Sequence, residues 1–204
     1  MIQHFHKNPK RRLRAPFSFR YCGMRLTFLT MALAALTTLG WGQAASIDWM
    51  TIEEAVAAQQ KEPRKIVMDV ITKWCGPCKM MMAQTFTNPN VIQYINEHFY
   101  AVKFDAESPD PITFQGNTFT NPTYDPNRRG RNGVHEFSRA LKVSAYPTLV
   151  YFDENAQVIA PISGFKSAAQ MELYLTFFNE AYQAGVDQTA WETYRDAFQY
   201  TWTN

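Results

Sequence analysis

The chain has 204 residues, of which 46% are hydrophobic and 19% are charged, an ordinary balance for a globular protein. This composition argues against a disordered chain and against a protein with many membrane spans, and the length fits one domain with appendages. The net charge of +2 conceals an asymmetry, because residues 1–25 carry seven Lys or Arg and no acid, whereas residues 46–204 carry 13 Lys or Arg against 18 Asp or Glu. The body of the chain is therefore mildly acidic, which argues against a nucleic-acid partner.

Residues 1–45 have the pattern of an export leader. A basic start is followed by an apolar run and by small residues, which is the arrangement of a secretory signal peptide. We expect cleavage after Ala44 or Ala45 and a periplasmic or secreted product. Met24 is an alternative start, in which case residues 1–23 are not translated. An uncleaved N-terminal anchor is the competing interpretation.

The rest of the chain alternates helical and extended patterns. Thr51 followed by Glu54 forms a capping box, which predicts a helix from residue 51 to about 60. An apolar run then predicts a buried strand, and strand, helix and strand in succession imply a parallel pair with a crossover. The further predicted elements are strands at 66–71, 100–105, 148–152 and 157–160, and helices at 75–86, 91–96, 134–141 and 167–178.

Two segments fall outside this alternation. Residues 106–133 are rich in Pro, Gly and Asn, and so long a connection is often functional or mobile. Within it, Arg128, Arg129 and Arg131 form a basic tip, for which a solvated loop is favoured over a docking patch. Residues 183–204 are predicted to form a helical extension that packs on the domain, with a partner interface as the alternative. The aromatic residues at helical spacing in this extension are Trp191, Tyr194, Phe198 and Trp202.

The chemistry of the chain centres on a pair of cysteines. Of the three cysteines, Cys22 lies in the predicted leader, and Cys75 and Cys78 stand at the start of a predicted helix. A helix N-terminus offers free N–H groups and a partial positive charge that stabilise a thiolate, and the spacing of three residues brings both sulfurs to one side. Pro77 is tolerated in a first helical turn. We therefore predict Cys75 as the exposed attacking sulfur and Cys78 as the shielded resolving one, acting through a mixed disulfide.

Other roles for these residues are less favoured. A zinc site needs two further ligands, and only His98 and His135 remain in the mature chain, so no metal and no cofactor are expected. His135 is assigned to a helix start rather than to catalysis. A purely structural disulfide across so small a loop would add little stability. Residues 80–82 are three consecutive Met, whose diverging directions on a helix favour core packing over copper ligation.

The segment Trp74-Cys75-Gly76-Pro77-Cys78-Lys79 resembles the active site of thioredoxins. The resemblance covers about residues 47–180 and is nearest to secreted thioredoxin-like proteins of the thioredoxin_7 type. It implies an α/β, thioredoxin-like fold with a central mixed β-sheet flanked by helices. The domain would then span residues 46–182, with the insert 106–133 before the third core helix and the helical extension at 183–204.

The resemblance also implies roles for two charged residues. Asp69, six residues before Cys75, matches the buried acid that moves the proton of the second cysteine. Burial of a carboxyl group in an apolar strand independently predicts a raised pKa. The alternative is a carboxylate satisfied by backbone N–H groups. Lys103 matches the lysine that partners this acid, or else is an ordinary edge lysine.

The substrate groove is expected opposite the cysteines. Tyr146 and Pro147 match the family loop with a cis-proline, where the backbone before the proline pairs with the substrate. Trp74 would flank the site as an apolar wall, with simple core packing as the alternative. Gly164 fits, more loosely, a family glycine near the groove.

These features lead to one functional hypothesis and two alternatives. The leading hypothesis is an exported thiol–disulfide oxidoreductase that reduces disulfides of substrate proteins, because the Gly76-Pro77 dipeptide and Asp69 resemble reducing family members. A membrane-bound thiol carrier is the expected electron donor. The alternatives are an oxidant or isomerase of the same fold, and a peptide-binding module without turnover whose groove is shaped by residues 106–133.

Overall fold

The computed structural model of the chain describes residues 46–203, so the predicted leader with Cys22 lies outside the described residues. None of the helices in this described range has both the length and the apolar character needed to cross a membrane. The strands are β1 (Trp49–Met50), β2 (Lys65–Ile71), β3 (Phe99–Asp105), β4 (Ile112–Phe114), β5 (Asn117–Phe119), β6 (Thr148–Phe152) and β7 (Val158–Ser163). The helices are α1 (Ile52–Gln59), α2 (Gly76–Gln84), α3 (Pro89–His98), α4 (Glu136–Ala140), α5 (Ala168–Thr176) and α6 (Gln188–Ala197), with a π-helical turn over Phe177–Ala181.

Side-chain caps set several helix starts. Thr51 and Glu54 form the predicted capping box of α1: the Thr51 hydroxyl accepts from the Glu54 N–H at 3.2 Å, and the Glu54 carboxylate accepts from the Thr51 N–H at 2.8 Å. The predicted start of α3 was wrong by two residues. Asn88 caps this helix and Pro89 lies in its first turn, where the missing N–H of proline has no cost. Residues 88–90, which lie between the two predicted helices, therefore form the start of α3.

The central sheet is mixed and has the strand order β1-β3-β2-β6-β7. Strands β1, β3 and β2 are parallel, whereas β6 and β7 run antiparallel to their neighbours. The predicted crossover between β2 and β3 is confirmed, with α2 and α3 between them. In this register Asp69 pairs with Lys103. Both strands end two residues after this pair, at Ile71 and Asp105. The loop carrying the cysteines follows β2, so it lies at the carboxyl edge of the parallel strands.

Alternation along β2 separates two hydrophobic cores, one on each face of the sheet. Ile66, Met68 and Val70 belong to one core, whereas Val67 belongs to the other, together with Met81 of α2. Asp69 has the parity of Val67, so its carboxyl group lies on the face that α2 covers.

The outer strands of the sheet are short or irregular. At one edge β1 has only two residues. At the other edge β7 contains Pro161, which pairs in register with Val150, and the ladder shifts register near Phe152. Proline has no N–H to donate to a further strand, so β7 presents an interrupted edge.

The segment predicted as a long connection contains structure of its own. Strands β4 and β5 form a hairpin around Gln115 and Gly116, both with positive φ, the conformation that tight hairpin turns require. Phe114 of this hairpin packs against Phe137 with ring centroids 5.3 Å apart. His135 is the helix-start residue expected from the sequence: its Nδ1 accepts from the Phe137 N–H at 3.0 Å, and its Nε2 bonds the Asp110 carbonyl at 3.0 Å.

The C-terminal aromatic residues pack on the domain, as predicted, but not along one helix. Trp191 stacks on Tyr174 with centroids 5.2 Å apart. Helix α6 ends at Ala197, so Phe198 and Trp202 lie beyond it, which corrects the prediction of a helical stripe to residue 202. The end of the chain is extended because the buried carboxylate of Glu172 accepts from the backbone N–H groups of Thr201 and Trp202 and from the Thr201 hydroxyl.

Candidate active site

Cys75 and Cys78 are joined by a disulfide, with an S–S distance of 2.09 Å and a Cα–Cα distance of 5.3 Å. Cys75 is the N-cap of α2, and its Sγ accepts from the backbone N–H of Cys78 at 3.1 Å. Pro77 occupies the first turn, where it removes no helical hydrogen bond. The helix N-terminus therefore points its free N–H groups at the sulfur of Cys75, the arrangement that stabilises a thiolate.

The exposure of the two sulfurs differs from the prediction. We expected Cys75 to be exposed and Cys78 shielded, but each residue is only 2% exposed in this oxidised state. The neighbouring Trp74 is 37% exposed. The expectation was wrong because the loop sequence gives no information on the side chains that other segments place around it.

Asp69 is buried beneath the cysteine loop. It is 1% exposed, and within the described residues neither carboxyl oxygen has a hydrogen-bond partner. Burial raises the pKa of Asp69 to about 7, and the charge of Lys103 opposes that rise. The alternative of a carboxylate satisfied by backbone N–H groups is therefore wrong, and the predicted raised pKa is confirmed.

Lys103 lies beside Asp69 on the neighbouring strand without contacting it directly. Its Nζ is 5.9 Å from the centre of the Trp49 ring, and the side chain is exposed. Within residues 46–203, no ion pair of 4.0 Å or less joins Lys103 to Asp69. A cavity of about 360 Å³ lies next to Lys103, and its lining also includes Thr72, Cys78 and Lys79. This volume has room for several water molecules next to the second cysteine.

The Tyr146–Pro147 peptide bond is cis, as the resemblance implied. Tyr146 reaches the cysteine loop, since its ring lies edge-on to Trp74 with centroids 6.0 Å apart. Gly164 is joined to the same turn, because its N–H donates to the Pro147 carbonyl at 2.8 Å. Among the described residues, no hydrogen bond uses the backbone N–H or carbonyl of Tyr146, so both groups are available to an added strand.

Two residues next to the site were not found from the sequence. Glu107 accepts a hydrogen bond from Trp74 Nε1 at 3.0 Å, and the guanidinium carbon of Arg131 lies 4.3 Å from the centre of the Trp74 ring. Both come from the insert, and Arg131 is exposed, as expected for a residue of a solvated loop, while its side chain also contacts Trp74. No local pattern signals these contacts, because they join segments 33 and 57 residues away from Trp74.

Metal ligation has no support among the residues that the structure describes, where no group of three or more Cys, His, Asp or Glu is arranged to hold an ion. The three consecutive methionines diverge. Met81 is fully buried in the core and Met82 packs at its margin, but Met80 is 48% exposed, which corrects the expectation of core packing for that residue.

The α/β fold, the cis-proline turn and the cysteine pair define a thioredoxin-fold thiol–disulfide oxidoreductase. A family model described as a thioredoxin-like domain matches residues 52–179, and the chain belongs to this family. The chain is 24% identical over 130 residues to the thiol:disulfide interchange protein DsbD of Pectobacterium atrosepticum. That match covers 63% of this chain and 19% of DsbD, so the chain spans about a fifth of that relative's length.

Comparison with solved structures shows the same fold. A thioredoxin-fold protein from Helicobacter pylori is 15% identical, and the superposition covers 75% of this chain and 89% of that chain with a TM-score of 0.52. A thioredoxin from Thermus thermophilus is 18% identical, with 65% and 87% of the chains covered and a TM-score of 0.49.

Proposed function

We propose that this protein is an exported enzyme that reduces disulfides of substrate proteins through the Cys75–Cys78 dithiol. The observation that carries the proposal is the position of the pair, in the first turn of α2 and on the face of the sheet where Asp69 is buried without a hydrogen-bond partner. A nucleophilic thiol needs a stabilised thiolate, and a resolving thiol needs a base. The first turn of α2 supplies the groups that would stabilise the thiolate, and Asp69 on β2 is the proposed base.

The reaction is two successive thiol–disulfide exchanges. The Cys75 thiolate attacks one sulfur of the substrate disulfide, which forms a mixed disulfide and releases the other substrate sulfur as a thiolate. The Cys78 thiolate then attacks Cys75 Sγ, which closes the Cys75–Cys78 disulfide and releases the second substrate thiolate. Two electrons pass from the enzyme to the substrate, and two protons convert the released thiolates to thiols. A reduced dithiol on an electron-donor protein reverses these steps and regenerates the enzyme.

Asp69 is proposed to accept the proton of Cys78. With a pKa of about 7 it is partly ionised at neutral pH, which suits a group that both takes and returns a proton. The cavity lined by Cys78 and Lys103 has room for water that could carry a proton between the second cysteine and solvent. Lys103 would limit the rise in the pKa of Asp69 and so keep the carboxylate available.

Substrate binding is assigned to the turn before Pro147. A substrate strand can pair with the free backbone groups of Tyr146, which is β-augmentation by a single residue pair. Trp74 and Tyr146 form an aromatic wall beside the disulfide. Backbone pairing tolerates many substrate sequences, which suits an enzyme acting on several proteins.

A redox titration of the Cys75–Cys78 pair tests the direction of electron flow. A reducing enzyme is expected to have a potential near the roughly −270 mV of thioredoxin, and a value near about −120 mV would instead support the oxidant alternative. The reducing direction is favoured because the Gly76-Pro77 dipeptide between the cysteines resembles that of reducing thioredoxins.

A trapping experiment tests turnover. Cys78→Ala leaves Cys75 without a resolving thiol, so mixed disulfides with substrates should accumulate, and Cys75→Ala is the matched control that should trap none. If neither variant captures a protein, the peptide-binding alternative gains support. That alternative accounts less well for an unpartnered acid buried beneath the cysteine pair.

Export and the electron donor belong to the same proposal. The leader pattern supports a periplasmic or secreted enzyme, and the relative DsbD is a thiol:disulfide interchange protein. The expected donor is a membrane-bound thiol carrier that supplies electrons across the membrane. Mass spectrometry of the purified exported protein should find an N-terminus at Ala45 or Ser46, whereas an intact leader would support the uncleaved anchor.

A further inference from the structure

The insert contacts the cysteine loop through one side chain, Trp74. The Trp74 indole donates to Glu107 at 3.0 Å, its face lies 4.3 Å from the Arg131 guanidinium carbon, and Tyr146 packs on its edge. Trp74 is adjacent to Cys75 in sequence, so Arg131 stands at the rim of the site. An arginine stacked on an aromatic ring keeps its N–H edge free for a planar acceptor.

The loop that carries Arg131 is built to hold it in place. The next residue, Asn132, crosses the loop with two hydrogen bonds to the backbone of Asp125, each 2.9 Å long. Asn121, which is 8% exposed, donates to the Gly133 carbonyl at 2.7 Å. A Cβ at Gly133 would overlap the backbone of Thr123, so only glycine permits this close approach. The position of the guanidinium group therefore follows from a braced loop.

The side chains at this rim carry a net positive charge. Within residues 46–203, Arg131 makes no ion pair, and neither does Lys79 directly after Cys78. Of the two nearby acids, Asp105 pairs with Lys73 at 3.6 Å. Glu107 keeps its negative charge, because the Trp74 indole that donates to it is neutral, so the two unpaired cations exceed the unpaired acids here by one. Residues 46–204 as a whole carry an excess of acids, so this local excess of positive charge is distinctive.

We infer that Arg131 is a specificity-determining residue that binds a carboxylate of the substrate next to the reacting disulfide. The inference rests on the proposed thiol–disulfide exchange at Cys75 and adds a substrate class, namely disulfides flanked by acidic residues. A guanidinium group and a carboxylate form paired hydrogen bonds with fixed geometry. Because Arg131 already stacks on Trp74, its side chain loses less conformational freedom when the substrate binds than an arginine without such a contact.

The test compares three cyclic disulfide peptides that differ only in the two residues flanking the cystine, which are Glu, Gln or Lys. The reduced protein is mixed with each peptide, the reaction is quenched with acid, and alkylated products are separated to give kcat/KM. The wild-type protein should reduce the Glu peptide about threefold to fivefold faster than the Gln peptide at low ionic strength, the size expected for one exposed ion pair. The Lys peptide should be slower than both, and a salt concentration of about 0.5 M should compress the three values.

Variants separate the role of Arg131 from a general effect of loop charge. Arg131→Gln should abolish the preference for Glu over Gln, and Arg131→Glu should reverse it. Arg128→Gln removes the same charge from the same loop without touching the Trp74 contact and should keep most of the preference. If Trp74 moves when Arg131 is replaced, the kcat/KM values for all three peptides should change together. The ratio of kcat/KM between two peptides therefore reports specificity.

The outcomes also distinguish this inference from the proposed function. If the wild-type protein reduces the three peptides at equal rates, or if Arg128→Gln removes the preference as fully as Arg131→Gln does, the role of Arg131 is overturned and the reductase function stands. If the reduced protein reduces none of the three peptides, the proposed function itself is wrong.

Discussion

Replacing Asp69 with asparagine shows how the buried carboxyl group beneath α2 affects stability. In the folded protein the pKa of Asp69 is raised to about 7, whereas the ordinary value is 3.8. Between pH 3.8 and about pH 7, the folded state therefore keeps a proton on Asp69 that the unfolded state releases. The stability associated with this group is fully present below pH 3.8 and is lost as the pH rises toward about 7. Removing the ionisable group should consequently stabilise the protein more at high pH than at low pH.

The two pKa values set the size of the effect. At pH 8 the difference between the two pKa values corresponds to a destabilisation of about 4 kcal/mol by the ionised carboxyl group, and at pH 5 it corresponds to about 2 kcal/mol. The side-chain amide that Asp69→Asn introduces would lack partners as well, but its cost is the same at both pH values. The gain from Asp69→Asn should therefore be about 2–3 kcal/mol larger at pH 8 than at pH 5.

Urea unfolding of the oxidised proteins at both pH values measures this difference. Oxidised protein is required so that the cysteines do not titrate. Asp48→Asn, which changes an exposed residue of the same domain, is the control and should show no comparable change between pH 5 and pH 8. An equal gain for Asp69→Asn at the two pH values would refute the reasoning, because it would mean that the buried acid does not take up a proton on folding.

Four further substitutions test other parts of the structure. Lys103→Gln removes the charge that opposes the raised pKa of Asp69, so the stability loss measured in the same urea series should extend to higher pH, and an unchanged profile would contradict the coupling. Phe137→Ala empties a fully buried site between the insert and the sheet and should cost about 3–5 kcal/mol by urea unfolding, whereas a loss below about 1 kcal/mol would show that the insert is not anchored there. Glu172→Gln weakens the carboxylate bonds to the C-terminal backbone and should cost about 1–3 kcal/mol, with faster amide exchange at residues 201 and 202, and unaltered exchange would contradict this anchor. Gly133→Ala should lower the thermal midpoint and raise proteolysis within residues 121–133, and wild-type behaviour would contradict the close approach described there.

Features that depend on neighbouring residues were predictable from the sequence. The capping box at Thr51 and the cysteine at the start of α2 satisfy backbone groups within one turn, so a short pattern contains all the participants. The raised pKa of Asp69 followed from an ionisable residue inside an apolar strand. Strand alternation then accounts for its position beneath α2.

Features that join distant segments were not predictable. The contact of Arg131 with Trp74 depends on how the insert folds back, and no sequence spacing predicts that path. The burial of Cys75 likewise depends on the surrounding structure and not on the sequence of its own loop. The end of α6 was missed for a similar reason. Phe198 continues the helical spacing of aromatic residues, but the backbone after it bonds instead to Glu172, a side chain from another helix.

The interrupted outer strands also affect how the protein meets other polypeptides. A sheet that ends in a long regular strand invites another chain to extend it, and this is a common start of aggregation. Here the edge strand β1 is two residues long and the edge strand β7 is interrupted by Pro161, so neither offers a continuous template for another strand. If substrates bind as proposed above, an extended polypeptide would pair with the open backbone at Tyr146 rather than with either edge of the sheet. The same interrupted edge strands would then account both for resistance to self-association and for the access of substrate proteins to the cysteines.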